Sequence, residues 1–349
     1  MDKTCIFSLS FESLEQTLLQ WRQPKYRAKQ IWDFVYTKFV FDFNEMSALP
    51  KDLRAKLGEK FFFSDAHLVA DKKSKKDAGK FLFSLADGFF VESVLLTAPD
   101  YESGELRKTL CISTQVGCAQ SCKFCASTLN GFKRNLSLAE IMGQFIAFSE
   151  PNKGFDFENI VVMGMGEPLA NMQNILAALK VVHENFKFGA RRITLSTCGL
   201  ADKIKILAEN GFPYRLAVSL HGATNEVRNQ IMPVNKKFPL EELLPALKMY
   251  STICKRMPSL EYILIDKVND SFKDAEHLAQ IAKDLHAHIN LIPYNTVEAL
   301  NWKRPSMQRC NAFLETLKKH KVSATLRREK GSDIEAACGQ LALKAQEQK

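Results

Sequence analysis

Eight residues, Cys118-Ala119-Gln120-Ser121-Cys122-Lys123-Phe124-Cys125, limit what this chain can be built around. The three cysteines stand at C-x3-C-x2-C spacing, and no fourth cysteine, second knuckle or H-x3-H pair follows them. A closed structural zinc site wants four ligands, so the spacing suits an iron–sulfur cluster better. A [4Fe-4S] cluster held by only three thiolates leaves one iron with an open position for a small molecule. Buried core thiols are the plainer account of free cysteines. Three of nine cysteines within eight residues, beside Gly117, Gln120, Ser121 and Lys123, are too close together and too polar for it.

Composition narrows the setting. A chain of 349 residues allows one large domain and a small one, and 46% hydrophobic with 25% charged residues is ordinary for a globular protein. No apolar run reaches the ~18 residues that span a membrane, so no membrane partner is expected. The start, Met1 to Cys5, has no basic segment leading into an apolar one, which argues against a secretory signal. An odd count of cysteines, three of them clustered, does not suit a disulfide framework and points to a reducing cytoplasm. The net charge is +9, with basic pairs at Lys72-Lys73, Lys75-Lys76, Arg191-Arg192, Lys236-Lys237 and Arg327-Arg328. That balance favours a polyanionic partner, DNA or RNA, although any one pair alone reads as solvated surface.

Residues 10 to 60 show helical spacing, with Phe11, Leu14, Leu18 and Trp21 and then Ile31, Phe34 and Val35 on single faces. Residues 61 to 76 read as a connector that turns basic. Two strand-like runs, Lys80 to Leu85 and Phe89 to Leu96, flank the hairpin signal Ala86-Asp87-Gly88. Residues 1–95 thus form an accessory domain of helices and a hairpin that helps to hold the substrate. From about residue 108 strands and helices alternate: strands at 108–114, 159–163, 192–196, 215–220, 261–265, 289–293 and 322–326, and a capping box at Ser137-Leu138-Ala139-Glu140. The expected fold class is α/β, with residues 96–349 a full or partly open β/α barrel.

Functional groups of such a barrel gather at the C-terminal ends of its strands. The cluster cysteines follow the first strand. Gly164-Met165-Gly166-Glu167-Pro168 follows the second, Ser196-Thr197 ends the third, Ser219-Leu220-His221 the fourth, and Pro293-Tyr294-Asn295 the sixth. Each has a bland account singly, as a cap, a turn or a satisfied loop histidine. Their placement on one rim with the cluster makes a shared pocket. Cys111 and Cys338 stand apart, the latter in Asp333-Ile334-Glu335-Ala336-Ala337-Cys338-Gly339-Gln340, a poor core sequence and a plausible active-site loop.

The chain resembles the bacterial rRNA adenine methyltransferases of the radical S-adenosylmethionine (SAM) class. The resemblance runs from about residue 20 to residue 343. Its most specific block is Thr109 to Cys118, and further blocks lie at Gly131 to Leu136, Met163 to Leu169, Ser219 to His221, Asn269-Asp270 and Ala336 to Leu341. It implies a barrel of the radical SAM type, a [4Fe-4S] cluster on Cys118, Cys122 and Cys125, and SAM held at Gly166, Glu167, Ser196, Ser219, Leu220, His221 and Asn295. It makes Cys338 the methyl-carrying cysteine, Cys111 its partner thiol and Glu92 the proton acceptor. Without it, Glu92 reads as a solvent-facing strand carboxylate. The implied reaction methylates C2 of an adenosine in the peptidyl-transferase centre of 23S rRNA, and in some members a tRNA anticodon-loop adenosine. Adenine C2 is electron-poor, so the family's route loads a methyl on a cysteine thiolate and activates it by hydrogen abstraction. A disulfide closes the cycle, and an electron donor such as a flavodoxin-type protein resets it.

Two departures stand out. The family commonly has Pro-Trp-Asn-Pro where this chain has Pro293-Tyr294-Asn295-Thr296, and Val297 to Lys303 lacks the usual glycine and proline residues. Three alternatives remain open. A related resistance methyltransferase acts at C8 of the same adenosine, and its pattern has alanine where this chain has Pro168. A non-enzymatic iron–sulfur RNA-binding protein would need neither Cys111 nor Cys338. A zinc-binding RNA module would hold no iron.

Overall fold

The computed structural model describes residues 3–74, 77–99, 104–327 and 330–341. Three helices open the chain: α1 (Phe11–Gln20), α2 (Tyr26–Tyr36) and α3 (Lys51–Lys60). Ser10 caps α1 by accepting from the Ser13 amide, and Leu14 and Leu18, one turn apart, bury the same face. Ile31, Phe34 and Val35 do the same for α2. Rings bolt these helices to the rest of the molecule. Tyr36 and Phe39 meet Phe186 at centroid distances of 4.9 and 5.1 Å, and Phe39 meets Phe155 at 5.0 Å. The buried apolar side chains form one continuous core from Ile6 to Leu341.

Ten strands among the described residues make one sheet. Strands β1 (Ala66–Lys73), β2 (Ala78–Leu85), β3 (Phe90–Pro99) and β4 (Leu106–Cys111) pair antiparallel in turn. From β4 the sheet continues in parallel through β5 (Asn159–Val162), β6 (Ile193–Thr197), β7 (Arg215–Ser219), β8 (Ser259–Leu264), β9 (His288–Pro293) and β10 (Ala324–Leu326). Helices cross between the parallel strands: α4 (Leu138–Ile146), α5 (Met172–Lys180), α6 (Ala201–Glu209), α7 (Asn225–Ile231), α8 (Leu240–Cys254), α9 (Phe272–Leu285) and α10 (Met307–Lys319). β1 and β10 are the two edges, so the barrel is partial and open. The C-terminal ends of its parallel strands share one rim.

The capping box is present as read: the Ser137 hydroxyl accepts from the Glu140 amide, and the Glu140 carboxylate accepts from the Ser137 amide. The connector at 61–76 is a correction, because it contains β1. Beyond Ala66 every residue of β1 is exposed, so no apolar alternation marked the strand; only its ladder with β2 holds it. Periodicity also missed α6 and α7. Lys75, Lys76 and Arg328 lie outside the described residues.

Candidate active site

The cluster loop springs from the end of β4 through a narrow neck. Gln115 and Val116 pair antiparallel with Asn135 and Arg134, and the cysteines lie between. Gly117 sits at φ +73°, where a Cβ would fall 1.8 Å from the Gly131 carbonyl oxygen, so nothing but glycine closes this neck. Inside the loop the Cys125 amide donates to the Cys122 carbonyl at 3.2 Å, and the Thr128 hydroxyl to the Cys125 carbonyl at 2.8 Å. From outside, the Lys123 amide donates to the Ile231 carbonyl, and its carbonyl accepts from the Trp302 ring nitrogen at 2.7 Å. The rim loop that departs from the family pattern therefore packs on the cluster loop.

Cys118, Cys122 and Cys125 all line one cavity. Burial pushes the Cys118 thiol up to about 12, and Cys122 and Cys125 are raised by burial first and then by neighbouring thiols. Among the described residues no three His, Cys, Asp or Glu side chains converge to hold a single metal ion. The thiols face a shared volume instead, and a cluster's positive irons supply what three neighbouring thiolates need. The donor set fits a [4Fe-4S] cluster.

The C-terminal segment is hydrogen-bonded directly to this loop. The Ala126 amide donates to the Gly339 carbonyl at 2.8 Å, and the Ser127 hydroxyl to the Leu341 carbonyl at 2.7 Å. The Asn295 side-chain amide donates to the Cys338 carbonyl at 3.1 Å. Cys338 thereby faces the same cavity as the cluster cysteines, open to it, while the protein walls around it push its thiol pKa up.

After β5 the chain folds back on the start of the cluster loop. The Met165 amide donates to the Ser113 hydroxyl and the Glu167 amide to the Gln115 side-chain oxygen, both at 2.8 Å. Gly166, at φ +101°, would place a Cβ 2.6 Å from the Gln115 side chain. The Glu167 carboxylate accepts from the Leu169 amide at 2.9 Å and from the Cys198 amide at 2.7 Å, tying the ends of β5 and β6 together. Burial raises its pKa, and these amides oppose the rise. The Thr197 and Cys198 side chains also hydrogen-bond this carboxylate.

Ser196, Ser219 and His221 line the cavity as well. His221 adopts φ +56°, held by Asn269, whose side-chain amide donates to the His221 carbonyl at 2.7 Å. Its Nδ1 accepts from the Ile263 amide at 3.1 Å, which leaves the ring proton on Nε2. Burial, with the Arg228 charge second, lowers its pKa to about 3, so the ring is neutral.

Four of the expected residues do not line the cavity. Leu220 is wholly buried, its amide donating to the Glu261 carbonyl. Asn295 reaches the site only through Cys338. Cys111 is buried on β4 opposite Val94, its thiol pushed up to about 12 by burial and then by Cys338, with Arg327 opposing. Glu92 lies two residues from Val94, so its side chain shares a sheet face with Cys111. Its carbonyl accepts from the Ser113 hydroxyl at 2.6 Å, which sets it at the rim. Glu92 is buried and paired with the Lys80 ammonium at 3.1 Å, which corrects its bare-sequence reading as solvent-facing. The disulfide expectation is also corrected: all nine cysteines are free thiols.

Sequence reasoning missed Gln115, Arg228 and Glu261. Glu261 interrupts an apolar strand, a readable signal, and lines the cavity with Arg327 at 3.5 Å from its carboxylate. Gln115 and Arg228 carried no such mark.

A partial barrel with a three-cysteine loop after its first parallel strand and a glycine turn after its second defines the radical SAM class, and the profile described as "Radical SAM superfamily" matches residues 112–279. A second profile, "Ribosomal RNA large subunit methyltransferase N-terminal domain", matches residues 5–62. The chain belongs to the dual-specificity RNA methyltransferase family. It is 51% identical to "Probable dual-specificity RNA methyltransferase RlmN 3" of Opitutus terrae over 97% of this chain and 94% of that one. It is 44% identical to the "RlmN" protein of Thermotoga maritima over 97% of each chain. A radical SAM methyltransferase from Sphaerobacter thermophilus superposes with a TM-score of 0.89 at 38% identity, covering 97% of this chain and 99% of that one. The chain is a SAM-dependent radical methyltransferase, with a [4Fe-4S] cluster and SAM as its cofactors.

Proposed function

We propose that this enzyme methylates C2 of an adenosine in 23S rRNA, and of an anticodon-loop adenosine in tRNA, through a methyl group carried on Cys338. One observation carries the reading: Cys338 opens into the cavity of the three cluster cysteines, held there by Asn295 and the cluster loop. Cys118, Cys122 and Cys125 would hold the cluster, which when bound would supply single-electron reduction to SAM. Gly166, Glu167, Ser196, Ser219, Leu220, His221 and Asn295 shape the SAM site, the neutral His221 offering an Nε2 donor. Cys338 takes its methyl from one SAM; a hydrogen atom of that methyl passes to the carbon fragment of a second SAM, the carbon joins the base, and the adduct gives back the electron spent on cleavage. Glu92 accepts the C2 proton. Cys111 then attacks the Cys338 sulfur and frees the RNA, and a flavodoxin-type donor supplies reducing electrons. Residues 1–95 help to grip the RNA, and the setting is the cytoplasm. Pro168, alanine in the C8 pattern, favours C2.

The test is mass spectrometry of adenosines from 23S rRNA and tRNA after anaerobic reaction with SAM and a reductant. The expected product is 2-methyladenosine; 8-methyladenosine would move the enzyme to the resistance branch. Cys338→Ala should abolish methylation entirely, and Cys111→Ala should trap a protein–RNA adduct. Turnover by Cys338→Ala would sink the mechanism.

A further inference from the structure

Among the described residues Arg228 is the largest wholly buried side chain, at 0% exposure, and no step above uses it. Its guanidinium donates to neutral oxygens: the Leu220 carbonyl through Nε at 3.1 Å, the Cys198 carbonyl through Nη2 at 2.6 Å, and Asn235 Oδ1 through Nη1 at 2.8 Å. The Phe238 carbonyl lies at 3.5 Å. No described carboxylate pairs with it. A buried charge without a counter-charge costs several kcal/mol, so a chain that keeps one has an anion to set against it.

The surroundings say where that anion sits. Cys198, which Arg228 holds by its carbonyl, lines the cavity together with Cys122. Helix α7, which carries Arg228, ends at Ile231, whose carbonyl accepts from the Lys123 amide of the cluster loop. We propose that Arg228 is the fixed counter-charge of the iron–sulfur cluster, a positioning residue that raises its reduction potential. A cluster on three thiolates is net anionic and gains one more negative charge on reduction, so a buried cation beside it favours the reduced state. The same guanidinium braces the ends of β6 and β7, which is the structural role the test must separate.

The inference rests on ligation of the cluster by Cys118, Cys122 and Cys125. The experiment is a redox titration, followed by electron paramagnetic resonance, of anaerobically reconstituted protein without SAM. Wild-type protein with about four irons per chain secures the cluster reading first; an iron-free wild type would overturn that reading and this one together. Arg228→Gln is expected to make reduction about tenfold less favourable, a fall of roughly 59 mV for one electron. Arg228→Lys keeps the charge and should lie nearer wild type than the glutamine variant. Asn235→Asp sets a carboxylate against the guanidinium and should lower the potential while Arg228 remains. If Arg228→Gln fails to load iron, Asn235→Asp against wild type decides. Potentials equal to wild type in loaded Gln and Asp variants overturn the inference, as does a lysine variant as low as the glutamine one.

Discussion

Single residues at this site are set by what their backbone neighbours demand of them. Glu167 accepts from amides at the β5 and β6 ends, and His221 Nδ1 accepts from the Ile263 amide, so the backbone fixes how each side chain is turned. The His221 ring has a pKa lowered to about 3 in the fold, against about 6.5 in the unfolded chain. Below pH 6.5 the unfolded chain binds a proton that the native one refuses, so stability falls as the pH drops from about 6.5 towards about 3. The slope approaches about 1.4 kcal/mol per pH unit. Urea unfolding of cluster-free wild type should show about 2 kcal/mol less stability at pH 5 than at pH 7 from this group. His221→Asn keeps an acceptor for the Ile263 amide and should lose that component; equal pH dependence in both chains would contradict it.

At the level of elements, the loops rather than the strands hold the site together. The neck of the cluster loop depends on Gly117, where an added Cβ meets the Gly131 carbonyl at 1.8 Å. Gly131 also has a positive φ, +64°, but nothing lies within 4 Å of an added Cβ there. Gly117→Ala brings both clash and strain, and strain alone costs about 1–3 kcal/mol. Iron incorporation should fall roughly five- to hundredfold for that free energy. Gly131→Ala should load more iron than Gly117→Ala, as judged by iron assay and visible absorbance. Equal loading would show that the neck is not what shapes the loop. The alternation of strand and helix was legible here, because buried parallel strands leave apolar runs and Ser137 marks its helix by a capping box. Strand β1 was not, since an edge strand exposed on both faces needs no apolar residues.

Across the whole molecule the charge is +9 and much of it is at the surface, with Lys72, Lys73, Arg191, Arg192, Lys236 and Lys237 exposed. A polyanionic substrate releases counterions when such groups meet its phosphates. Affinity for RNA should fall about a thousandfold or more between 50 and 200 mM salt if some six phosphates are engaged. Filter binding across that range measures the slope, and a flat response would argue for recognition without phosphate contacts. The cluster, SAM and the RNA class were readable from the chain itself, because C-x3-C-x2-C spacing and the blocks around Cys111, Glu167 and Cys338 are local words. Contacts between distant segments were not. Cys338 meets the cluster loop through Gly339 and Leu341, some two hundred residues away in sequence, and Lys80 meets Glu92 only because β2 and β3 pair. Arg228 looked like any helical arginine until the fold removed it from water. Sequence by itself determined which donor atoms the chain carries and how closely neighbouring ones are spaced. Tertiary structure alone decided which are desolvated and which face each other, because burial and partnership arise from packing between segments that no local pattern records.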